Sequence, residues 1–155
     1  MMNEVIVDSE LVARMIFPPQ MIDEGKVLPA AFVLRPSINE EYLSVLRISV
    51  DTFNRDMKKI LFGRKRSFYG FAVMNVSEIH AIRLKAGNSS LTCNVRAVDN
   101  EQLKSHAGIF ILLDGKAVTG AMSFEQLGYG NVQSHLLLAI RFRLAEIANN
   151  GLVSF

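Results

Sequence analysis

Apolar positions along this chain repeat with two periods, and the change of period marks out its elements. In SLTCNVRAV, Leu91, Cys93, Val95 and Ala97 alternate with Thr92, Asn94 and Arg96, the period of a half-buried strand. HAGIFILL (His106 to Leu113) is continuously apolar, as expected of a central strand, and Asp114-Gly115 signals a hairpin into Lys116 to Thr119. Three further strands are expected: Lys26 to Arg35 with an irregular or edge start at Pro29, Leu43 to Ile48, and SFYGFAVMNV.

The helical period is clearest in two places. With Asp51 as the helix cap, Val50, Phe53, Met57, Ile60 and Leu61 recur at helical spacing, and Gly63 supplies a stop. In NVQSHLLLAIRFRLAEIAN, Asn131 caps a long helix with Val132, Leu136, Ile140, Leu144 and Ile147 on one line. A second line through His135, Leu138, Phe142 and Ala145 predicts a broad apolar surface. Short pieces complete the pattern: VDSELVARMIF as a helix stopped by Pro18-Pro19, a turn at Asp23 to Lys26, a helical turn or extended piece from Ser77 to Ile82, a turn at Ala86 to Ser90, and a loop over Gly120 to Gly130. Strands come in succession rather than alternating with helices. The expected fold is α+β, a mainly antiparallel sheet of five or six strands, covered on one face by the middle helix and the long apolar C-terminal helix.

No linker or repeat divides the 155 residues, so 1–155 is read as a single domain, with 1–25 an irregular N-terminal segment. The apolar share of 50% and charged share of 21% suit a folded chain, and a net charge of +2 drives no global attraction to nucleic acid or membrane. Cys93 is the only cysteine, which excludes an internal disulfide and a multi-thiolate metal site within the chain. The N-terminus carries Glu4, Asp8 and Glu10 where a secretory signal would be basic then apolar, and apolar runs fall short of the roughly 20 residues of a bilayer span. A cytoplasmic protein with no membrane contact is expected.

Candidate chemistry is sparse. No glycine-rich phosphate loop is complete; Gly128-Tyr129-Gly130 is only a fragment. His80, His106 and His135 share no metal-ligand spacing, so no metal and no cofactor are expected. His106, opening an apolar strand, could hold a proton near neutral pH, or simply fix a turn; Cys93 could serve as a nucleophile with His106 or His80 folded close, or be an inert buried thiol. Glu40-Glu41, Asp99, Asp114 and Asp23-Glu24 fall where caps and turns are made, and no pair stands out as an acid–base couple.

One local charge concentration remains: Lys58, Lys59, Arg64, Lys65 and Arg66 within nine residues, followed by Phe68 and Tyr69. Cations that track a phosphate backbone beside an aromatic that stacks on a base would bind single strands, with Phe68 or Tyr69 as the stacking ring. The competing reading is a solvated helix end. FVLRPS, EEYLSVLR and SHAGI ahead of a closing apolar helix resemble small bacterial proteins of uncharacterised function, which implies no activity or site. The leading expectation is a non-catalytic interaction or accessory subunit of a bacterial intracellular assembly, a homo-oligomer or bound to a protein partner. A nucleic-acid-binding module using 58–66, and a small hydrolase or transferase centred on His106, are the alternatives.

Overall fold

The structure is a computed structural model that describes residues 4–63, 68–120 and 132–154. A single eight-stranded sheet positions the site; its strands are β1 (Leu11–Ile16), β4 (Leu43–Arg47), β5 (Gly70–Asn75), β6 (Arg83–Ala86), β7 (Ser89–Ala97), β8 (His106–Leu113), β9 (Lys116–Ala117) and β10 (Leu152–Ser154).

 Its order is β10-β5-β1-β4-β8-β7-β6, with β9 on β8 beyond the end of β4, and every pair is antiparallel. A separate hairpin joins β2 (Ile22–Asp23) to β3 (Lys26–Val27), with Glu24 and Gly25 both at positive φ, as the predicted turn requires. The α+β class holds, with a larger sheet than the five or six strands expected.

Helices lie on both faces, so the expectation of one covered face is corrected. Val12, Leu43, Val45, Ala72, Met74, Leu91, Cys93, Val95, Ala107, Ile109 and Ile111 point to one side. There they meet α3 (Val132–Asn150), through Leu136, Leu137, Ile140, Leu144 and Ala148, and the short α2 (Val76–His80), through Val76 and Ile79. Ala13, Met15 and Leu46 point the other way and pack with Phe53, Met57 and Ile60 of α1 (Phe53–Gly63). The period-2 alternation of β1 therefore fills two separate cores, which is why its sequence reads as a nearly continuous apolar run.

Three local expectations change. VDSELVARMIF forms β1 rather than a helix, because six residue pairs to β5 and burial on both faces outweigh a weak local cap. Of Lys26 to Arg35, only Lys26 and Val27 are strand; Pro29 opens a 3-10 turn to Phe32, where its missing N–H costs nothing, and Ala31 and Phe32 are buried. The C-terminal helix is not apolar all round: Leu138 and Phe142 are about half exposed and His135 is exposed, so the second predicted line faces outward except at Ala145. The loop expected over 120–130 and the cap at Asn131 fall outside the described residues, apart from Gly120.

Candidate functional site

β1 and β4 pair only at Val12–Arg47 and Ala13–Leu46, then part. Their paired end is clamped: Arg47 Nη2 and Nε donate to the Glu10 carboxylate at 2.7 and 3.0 Å, and Ser49 Oγ donates to it at 2.9 Å. The Arg47 hydrogen bond holds the Glu10 carboxyl below its usual range, against the upward push of burial. At the open end Arg14 replaces the missing ladder. Its Nη1 donates to the Ser44 carbonyl at 2.7 Å, and Nη2 and Nε donate to the Ala31 carbonyl at 2.8 and 3.2 Å. The guanidinium also sits 5.8 Å from the Phe32 ring centre.

The parted strands leave a cleft of about 510 Å³. Its walls are mixed: Met15, Phe17, Leu46 and Ile60 are apolar, while Gln20, Glu40, Ser44 and His106 are polar. His106 opens β8 and lies across from Leu46, so it faces the α1 side of the sheet. Its Nε2 is 3.3 Å from the Ser44 hydroxyl, and its ring stands edge-on to Tyr42 with centres 5.7 Å apart. Burial pushes the imidazole below its ordinary pKa, which keeps it neutral; the Val98 backbone offsets part of that shift, though Nδ1 has no hydrogen bond of good geometry. Arg35, at the cleft mouth, is held by Glu40, with Nη2 to Oε2 at 3.0 Å and the backbone N–H to Oε1 at 3.0 Å.

The segment before His106 is anchored from α1. Asp56 is fully buried and accepts from the Ser105 hydroxyl at 2.6 Å, the Ser105 N–H at 2.9 Å and the Thr52 hydroxyl at 2.9 Å. Burial raises its pKa, but the two Ser105 bonds, the Thr52 bond and the Arg55 charge together bring it below the usual value. Tyr42 is seated over Gly108, where a Cβ would lie 2.6 Å from the ring.

The other sequence candidates separate. Cys93 projects into the α3-side core, across the sheet from His106, and burial raises its thiol to about 12. It is no partner for His106, and its position is that of the inert buried thiol. His80 bonds Asp8 through Nδ1 at 2.6 Å and accepts the Val95 N–H on Nε2 at 3.0 Å, a structural bridge far from the cleft. Phe68, the candidate stacking ring, is half-buried and packs on Phe17 with ring centres 5.5 Å apart, so part of its surface is committed to the α1-side core. Lys58 and Lys59 lie on the outer side of α1, while Arg64, Lys65 and Arg66 lie outside the described residues.

Sequence reasoning missed Ser44, Arg14 and Asp56. Arg14 had a signal, a lone cation inside VARMIF; Ser44 had none, since 62 positions separate it from His106. Among the described residues, no group of three or more His, Cys, Asp or Glu could hold a metal ion. No helix there is long and apolar enough to cross a membrane. Comparisons with protein-family models, curated proteins and solved structures returned no match.

Proposed function

We propose that this chain is a non-catalytic binding domain, an accessory component that takes a small, mostly uncharged molecule into the cleft between β1 and β4. The observation that carries this reading is the cleft itself: apolar side chains such as Met15, Phe17, Leu46 and Ile60 interleaved with a few polar ones, among them Gln20 and the Ser44–His106 pair. Arg35 is paired with Glu40, and Arg14 spends its N–H groups on two carbonyls, so neither offers a free fork of donors to a ligand carboxylate. A neutral imidazole beside a hydroxyl suits a ligand that both donates and accepts a hydrogen bond, such as an amide or alcohol.

Ligand-observed NMR with a panel of uncharged amides and alcohols tests this. Binders should shift the resonances of Ser44 and His106 and be displaced by Leu46→Phe, which fills the cleft. Ligands that bind while leaving both residues unmoved overturn the reading.

The 3.3 Å contact between Ser44 Oγ and His106 Nε2 favours one other reading, a hydrolase with Ser44 as nucleophile and His106 as base. Labelling of Ser44 by a fluorophosphonate probe, lost in His106→Gln, would establish that chemistry instead.

A further inference from the structure

The outward side of α1 is separate from the cleft. At 3.6 residues per turn, Arg55, Lys58, Lys59 and Phe62 fall within an arc of about 100°, opposite Phe53, Met57 and Ile60. Together with Gln102 they line a shallow depression between α1 and the loop before β8. Phe62 is 87% exposed, the most open large apolar side chain among the described residues. Lys59 Nζ donates to the Gln102 carbonyl at 2.8 Å, and Arg55 makes a loose 3.7 Å contact with Asp56. Lys58 has no ion pair among the described residues.

We infer that this face binds single-stranded nucleic acid, with the three cations on phosphates and Phe62, rather than Phe68, stacking on an unpaired base. Charge complementarity argues for a polyanion, and an open ring between cations suits a strand whose bases are free to stack. A membrane surface is less well matched: the apolar stripe of α1 is committed to the core, which leaves one ring to insert. In the sequence, three further basic residues, Arg64, Lys65 and Arg66, follow Gly63.

Fluorescence anisotropy with fluorescein-labelled U12 RNA and dT12 DNA tests the inference. Three phosphate contacts predict a slope of log affinity on log salt of about −2 or steeper, at roughly −0.7 per contact. Lys58→Ala/Lys59→Ala should make that slope shallower, whereas Phe62→Ala should weaken binding about 5- to 150-fold with the slope unchanged. All three positions are on the surface, so an unchanged melting temperature confirms folding. Failure of both oligonucleotides to bind at low salt, equal affinity for a duplex, an unaffected Phe62→Ala variant, or preference for phosphatidylserine vesicles would each overturn it.

Discussion

Asp56→Ala removes the acceptor that ties α1 to the segment entering β8. Two buried donors, the Ser105 N–H and hydroxyl, lose their partner, and each unsatisfied group costs about 1–3 kcal/mol. The Thr52 hydroxyl is only half-buried and can turn to water. Against this, Asp56 Oδ1 is itself buried without a hydrogen-bond partner, so its removal recovers some desolvation. The expected net loss is about 3 kcal/mol, a large share of the 5–15 kcal/mol typical of a domain but not enough to unfold most. Urea denaturation at pH 7 measures it. Ser105→Ala, which removes only the hydroxyl bond, should cost about 1 kcal/mol. Because the folded-state pKa of Asp56 is lowered from 3.8, its contribution is complete above that pH and fades as pH falls through the folded value. An Asp56→Ala variant within 0.5 kcal/mol of the parent would refute this account of the anchor.

Other outcomes follow from the same geometry. His106 has a lowered folded-state pKa, so its neutral form stabilises the fold above about pH 6.5; stability should fall as pH drops below that value, and His106→Gln should flatten the profile in a pH series of urea melts. Cys93, with its thiol raised to about 12, should resist a disulfide reagent at pH 8 in the native protein and react once unfolded. Gly108→Ala places a Cβ 2.6 Å from the Tyr42 ring and should cost about 1–3 kcal/mol by thermal melting, with shifted Tyr42 and His106 resonances; an unshifted spectrum would count against the seating of Tyr42.

What the sequence determined by itself was the set of strongly periodic elements: β7, β8 and its hairpin, α1, and the buried line of α3 through Leu136, Ile140, Leu144 and Ile147. Each is legible because the residues that decide it are close along the chain, and period alone separates a strand from a helix. Tertiary structure decided the rest. β1 is a strand because β5 lies beside it, and Cys93 and His106 are divided because alternation sends them to opposite faces of one sheet. The cleft exists because β1 and β4 part after two pairs, which brings Ser44 to His106 across 62 positions. Phe62 rather than Phe68 is the open ring because Phe68 is taken by the core. Such choices rest on contacts between distant segments, which no local pattern encodes.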